Sequence, residues 1–386
     1  MKRKICIVTG TRAEFGLMRV LMQNLSEMPD LDLQVIATGM HLSPEFGLTY
    51  REIEEAGFTI GAKVEMLLSA DSASSVTKSM GLGMIGFADA YQQMQPDIVV
   101  ILGDRFEIFA AAAAALIAGI PIAHLHGGET TEGAFDEAIR HSVTKMSHLH
   151  FVAAEEYRRR VIQLGEQPDR VFLVGGLGID AINQISPLKR DELEHSLDFK
   201  LGRRNLLVTF HPVTLDGESS SDQMNELLAA LEGLEDTHII FTMPNADTGS
   251  RELIKLVEDF VDTHENAKAF ASLGQLRYLS CMRLVDAVVG NSSSGIAEAP
   301  SMRVPTVNIG DRQKGRLRSP SIIDCPAERL AIRNALDQAL SEDFIGAISK
   351  SVSSYGMGGA SKAVAEILRT HDLEGIVKKS FYNLAV

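Results

Sequence analysis

A chain of 386 residues has room for two or three domains at roughly 150 residues each. Apolar residues make up 45% and charged residues 23%, the mix of an ordinary globular protein rather than of a disordered one. Thirty-seven basic residues against fifty-one acidic ones leave a net charge of −14. That balance argues against nucleic-acid or membrane partners, although a few converging Arg side chains and backbone N–H groups still suffice to hold a phosphate.

The start is basic and then apolar, like a leader, but the apolar run lasts only about five residues before Thr9-Gly10. Lys4–Thr9 instead opens a series of short apolar runs: Leu33–Thr38, Ile98–Leu102, Ile120–His124 and Leu149–Val152. A second series follows with Leu206–Phe210, His238–Thr242, Ala267–Phe270, Ala287–Val289 and Pro305–Asn308. Segments of helical length, such as Glu107–Ala118 and Glu252–His264, alternate with them. This is the pattern of βαβ units building parallel sheets buried on both faces. The alanine-rich stretch Phe109–Ala123 is the most membrane-like, but Gly119 and Pro121 make it a buried helix followed by a strand. The fold class expected is α/β, with two Rossmann-like doubly wound domains facing a central cleft. The segment between Gly175 and Leu201 separates the two series, which sets the domains at 1–175 and 176–360. Cys6, Cys281 and Cys325 fall in no paired spacing, against a disulfide framework or a zinc site and for a reducing, cytoplasmic setting.

Polar and glycine-rich clusters follow strand after strand, where ligands of open α/β sheets bind. The first half carries Gly10-Thr11-Arg12-Ala13-Glu14, Gly103-Asp104-Arg105 and His126-Gly127-Gly128-Glu129. The second half carries His211-Pro212, Asn245-Ala246-Asp247, Gly290-Asn291-Ser292-Ser293-Ser294-Gly295 and Gly310-Asp311-Arg312-Gln313. The serine cluster suits an anion, because small residues let N–H groups and hydroxyls approach it, with Arg312 and Arg12 adding charge. A plain tight turn and helix cap is the alternative. Asp104, Glu129 and Asp136 are candidates for one acid–base centre. Read singly, Asp104 pairs with Arg105 or anchors its loop, and Asp136 is a helix-start acid paired with Arg140 four residues on. His124 and His126 alternate, so one is structural and the other faces ligand. His211 is a functional candidate. The first loop lacks G-x-G-x-x-G, so no nicotinamide or flavin cofactor is indicated, and H-x-H alone does not make a metal site.

Taken in order, these motifs, together with Ile139-Arg140-His141-Ser142-Val143-Thr144-Lys145, resemble the hydrolysing UDP-N-acetylglucosamine 2-epimerases over about residues 4 to 370. The resemblance implies a GT-B-like pair of domains, with the C-terminal helix 361–386 returning to the first. It implies a nucleotide-sugar substrate whose UDP is held by Asn245, Ser292, Ser293, Glu298 and Arg312, with Arg12 reaching across. Asp104, Glu129, Asp136 and His211 fall in the family's catalytic region. Some branches carry glutamate at the position of His126, so that role rests here on His126 or shifts to Glu129. The chemistry implied is elimination of UDP followed by hydration, without metal or redox cofactor, in a homo-oligomer. UDP-N-acetylglucosamine ranks first as substrate, ahead of UDP-2,4-diacetamido-2,4,6-trideoxyglucose. A non-hydrolysing epimerase, a GT-B glycosyltransferase and a nucleotide-sugar sensor without turnover are the other readings.

Overall fold

The computed structural model describes residues 2–70, 72–131, 135–213, 219–244, 249–351 and 353–384. The chain divides into two compact units. The first comprises Met1–Glu129, Asp136–Asn183 and Tyr355–Val386, and the second Thr130–Phe135 and Gln184–Ser354. The division thus falls eight residues beyond the expected boundary at 175, and the return to the first unit starts at Tyr355 rather than 361. The helix Leu177–Gln184 explains the first shift, since its buried face packs with the first unit's core through Leu177.

In the first unit the strands are β1 (Arg3–Thr9), β2 (Leu31–Thr38), β3 (Ala62–Val64), β4 (Ile98–Leu102), β5 (Ile122–Leu125), β6 (Leu149–Val152) and β7 (Val171–Leu173). They form one parallel sheet in the order β3-β2-β1-β4-β5-β6-β7. In the second unit β8 (Arg204–Thr209), β9 (Thr237–Thr242), β10 (Ala267–Phe270), β11 (Ala287–Gly290), β12 (Thr306–Ile309) and β13 (Ile322–Cys325) follow suit. Their order is β10-β9-β8-β11-β12-β13, again all parallel.

The apolar runs are near-continuous because each central strand serves two cores. Ile5 and Ile7 of β1 pack into one cluster with Met18, Leu21 and Leu368, while Cys6 and Val8 face Phe87, Ile108 and the alanine helix on the opposite side. Leu206 and Val208 part from Leu207 in the same way across β8. Side chains alternate along a strand, so a strand covered on both faces must be apolar at every position. The alanine run lies in helix Phe106–Ile117, most of whose small side chains are buried against the sheet and against helix Ala73–Met94.

In each unit the strand order reverses beside its first strand, at β1/β4 and at β8/β11. Chain leaving the carboxyl ends of these neighbours diverges to opposite faces and opens a crevice there. From Tyr355 onward the chain completes the first unit: helix Ala360–Thr370 packs into its core, and Asp180 caps the helix start through the N–H groups of Gly359 and Ser361, each at 2.5 Å. Lys379 then reaches the buried Glu166 at 2.6 Å, which also binds Lys145 at 2.6 Å and His150 at 3.0 Å. Burial alone would raise the Glu166 carboxyl, but bonds from His150, Lys145 and Lys379 hold it down at about 2. No helix among the described residues is long and apolar enough to cross a membrane.

Candidate active site

At the crevice of the first unit, Thr11 caps helix Arg12–Ser26 by accepting the N–H of Glu14 at 3.2 Å. Glu14 turns back and accepts the N–H of Gly10 at 2.7 Å. Gly10 can be nothing larger, because a Cβ there would lie 2.5 Å from Cγ of Glu107. Arg105 donates to Glu107 at 2.7 Å. Two buried carboxyls thus face one guanidinium, and burial together with the Glu107 charge pushes the Glu14 carboxyl up to about 8. His41, also buried, joins Thr9 at 3.0 Å and Thr49 at 2.8 Å, and burial lowers its imidazole to about 4.

Asp104 follows β4, and its carboxylate binds the guanidinium of Arg140. Arg140 lies in helix Asp136–Met146 and also donates to the carbonyl of Glu129 at 3.0 Å and to Glu137 at 3.1 Å. The loops after the neighbouring strands β4 and β5 are therefore drawn onto one cation, on the helix that Asp136 begins. Asp136 itself is half-buried.

The two histidines sit in different surroundings. His124 is fully buried, and its Nε2–H donates to the carbonyl of Gly103 at 2.8 Å, which leaves Nδ1 to accept from the Thr144 hydroxyl at 3.2 Å. Burial lowers it to about 3, so it is neutral. His126 lies just past β5 at φ +62°, with 15% of its side chain exposed. Its Nε2 accepts the Leu177 N–H at 3.4 Å, so the proton belongs on Nδ1, 2.9 Å from the Glu129 carboxylate. Glu129 is only 4% exposed.

In the second unit one side chain ties the chain leaving β11 to the chain leaving β8. Asn291, fully buried after β11, accepts the N–H of His211 at 2.7 Å and donates to the His211 carbonyl at 2.9 Å. Its own carbonyl accepts from Gln313 at 2.8 Å and Arg312 at 3.2 Å, both in the loop after β12. Gly290 stands at φ +127° with its Cα against the Thr209 carbonyl, where no Cβ fits. Ser292 caps the five-residue helix Ser293–Ala297 through the Ser294 N–H at 3.4 Å, and Glu298 closes it. Ser292, Glu298 and Arg312 are half-buried, Ser293 is exposed and His211 is buried. Asn245 lies outside the described residues.

The structure thus brings Asp104 and the Glu129 carbonyl onto Arg140, with His126 on the Glu129 carboxylate, in one unit, and His211 and Arg312 onto Asn291, beside the serine loop, in the other. Sequence reasoning passed over both hubs. Asn291 stood inside a cluster already singled out, whereas Arg140 reads as an ordinary helix charge. Among the described residues no group of three or more His, Cys, Asp or Glu is arranged to hold a metal ion.

A family model described as UDP-N-acetylglucosamine 2-epimerase matches residues 23–369. A Campylobacter jejuni protein named GDP/UDP-N,N'-diacetylbacillosamine 2-epimerase (hydrolyzing) is 47% identical over 339 residues, 88% of this chain and 86% of its own. A Legionella pneumophila protein named UDP-N,N'-diacetylbacillosamine 2-epimerase (hydrolyzing) is 37% identical over 370 residues, 96% of each chain. In fold, the Neisseria meningitidis UDP-GlcNAc 2-epimerase bound to UDP-GlcNAc superposes with a TM-score of 0.81 at 18% identity, covering 95% of this chain and 99% of that one. The two parallel-sheet α/β units, the ordered strand-end motifs and these likenesses agree: the chain belongs to the UDP-N-acetylglucosamine 2-epimerase family, in its hydrolysing branch.

Proposed function

We propose that the chain releases UDP from a UDP-linked 2-acetamido sugar and returns the free sugar inverted at C2. The observation that carries this is the convergence on Arg140 of the Asp104 carboxylate after β4 and the Glu129 backbone carbonyl after β5, with the Glu129 carboxylate held by His126. In the first step the C1–O bond to UDP breaks with its electron pair, and oxocarbenium character acidifies C2–H. A carboxylate, otherwise a poor base toward carbon, then takes that proton to leave the 2-acetamidoglucal. Water adds at C1, giving up one proton, and C2 regains a proton on the opposite face. Asp104 and Asp136 carry the proton transfers, each worth about 10²–10⁴-fold. Glu129, oriented by His126, positions water or a sugar hydroxyl. Arg12, Asn245, Ser292, Ser293, Glu298 and Arg312 hold UDP, and His211 stabilises the departing diphosphate.

The sugar's C4 and C6 pattern is the finer question. The relative at 47% identity carries N,N'-diacetylbacillosamine in its name, so the 2,4-diacetamido-6-deoxy sugar is the first substrate to test. UDP-N-acetylglucosamine is the second, on the family description. The product then feeds a legionaminic- or sialic-type acid. A cytoplasmic homo-oligomer completes the reading.

Proton NMR of the protein with each UDP-sugar in D₂O decides. The expected product is UDP plus a free 2-epimer bearing deuterium at C2, with Asp104→Asn and Asp136→Asn nearly silent. Unchanged sugar in both tubes removes the catalytic reading; UDP without C2 exchange reduces it to simple hydrolysis.

A further inference from the structure

We propose that Arg140 is a positioning residue that sets the two loops and the helix bearing Asp104, Glu129 and Asp136 into one working geometry; this rests on the functional reading above. Arg140 stands among the largest fully buried side chains of the described residues, with 1% of it exposed. A guanidinium so removed from water persists only when its donors are met by well-placed acceptors. Among the described residues its acceptors include the Asp104 carboxylate after β4, the Glu129 carbonyl after β5 and Glu137 on its own helix.

Each of these acceptors is tied to a proposed reacting group. Asp104 is bound directly, and it keeps 20% of its side chain exposed, so a ligand reaches it while Arg140 stays out of reach. Holding the carbonyl of Glu129 fixes the loop in which the Glu129 carboxylate takes the His126 Nδ1–H. Glu137 follows Asp136 in the first turn, so the third bond sets the helix start that carries Asp136. Glu137 is itself steadied by His141 at 3.0 Å. A lysine in place of Arg140 keeps the charge but presents a compact ammonium, not a planar fork able to meet acceptors on separate segments. Geometry, more than charge, is therefore what Arg140 supplies.

The test compares wild type, Arg140→Lys and Arg140→Ala for thermal midpoint, kcat and KM, with millimolar guanidinium added to the alanine variant. Misplaced reacting groups cost rate more than binding. Expected is a kcat loss of roughly 10²-fold or more in both variants, with KM changed less than about threefold. Guanidinium, but not equal sodium chloride, should restore the alanine variant at least about tenfold, as a positioned ion re-entering the cavity. A folded lysine variant with wild-type kcat overturns the proposal. So does a rate loss that guanidinium leaves untouched, and failure of both variants to fold assigns Arg140 to the fold alone. Imidazole ¹⁵N shifts give a readout besides turnover: wild-type His126 shows the Nδ1–H pattern, which Arg140→Lys should disturb. If wild type itself fails to turn over, the functional reading falls, while an undisturbed His126 pattern in Arg140→Lys would separately remove the positioning role.

Discussion

Glu14 and Glu107 lie buried beside one another with Arg105 as their shared cation, so two carboxylates compete for one counter-charge. The charged groups acting on Glu14 are Glu107 and Arg105, from helix Phe106–Ile117 and its cap; His41, on the loop after β2, is neutral. Burial and Glu107 raise the Glu14 carboxyl from 4.5 to about 8, so at neutral pH Glu14 keeps its proton. The folded state then binds a proton that the unfolded chain releases above about 4.5, and stability falls as pH rises toward 8. Glu14→Gln retains an acceptor for the Gly10 N–H and removes the titration. Its thermal midpoint relative to wild type should therefore climb between pH 5 and pH 8 and level off above. Parallel midpoints across that range would show that Glu14 is ionised in the folded protein.

Asn291 plays for its elements what Arg140 plays in the other unit. Its side chain makes the reciprocal pair with the backbone of His211, so the chain ends leaving β8 and β11 are locked across the β8/β11 crevice. Asn291→Ala strands a buried N–H and carbonyl at His211, which costs roughly 1–3 kcal/mol. Because His211 and the serine loop are proposed around the diphosphate, UDP affinity should also fall about tenfold, read by calorimetry beside urea unfolding. Loss of stability with UDP affinity intact would detach this loop from the nucleotide. How far such elements were legible depended on burial. The central strands announced themselves because both faces are covered, and their expected bounds lie within two residues of those found. The missed strands β3, β7 and β13 are all sheet edges of three or four residues, paired on one side and partly exposed, with Lys63 and Asp324 breaking the apolar run. The strand-end loops were legible from their glycines and polar residues. What hid was whatever acts through a helix interior, because Arg140 at its position spells a surface charge until the fold shows it buried.

For the whole molecule, charge and exposed apolar surface pull in opposite directions. Each copy carries −14, so two copies repel at long range. Yet helix Ala73–Met94 leaves Leu82, Met84 and Ile85 exposed, Ile85 by 65%, and helix Phe106–Ile117, packed beside it, leaves Leu116 and Ile117 exposed. The glycines of the first helix sharpen the point. A Cβ on Gly86 would press on Val64 at 2.7 Å and one on Gly83 would crowd Met66 at 3.0 Å, but a Cβ on Gly81 would meet nothing within 4 Å. A glycine inside a helix costs about 1 kcal/mol against alanine, and its use on an outer, apolar face suits close approach of a second chain. We therefore expect the homo-oligomer to form through this face. The association should be apolar in origin and opposed by net charge, so it should tighten as salt rises from 0.05 M to 0.5 M, the reverse of an ion-paired interface. Ile85→Glu should lower the mass measured by sedimentation while leaving the thermal midpoint within a few degrees, because Ile85 adds little to its own unit's core. A monomeric wild type would sink the oligomer itself, and an unchanged mass in Ile85→Glu would place its interface elsewhere.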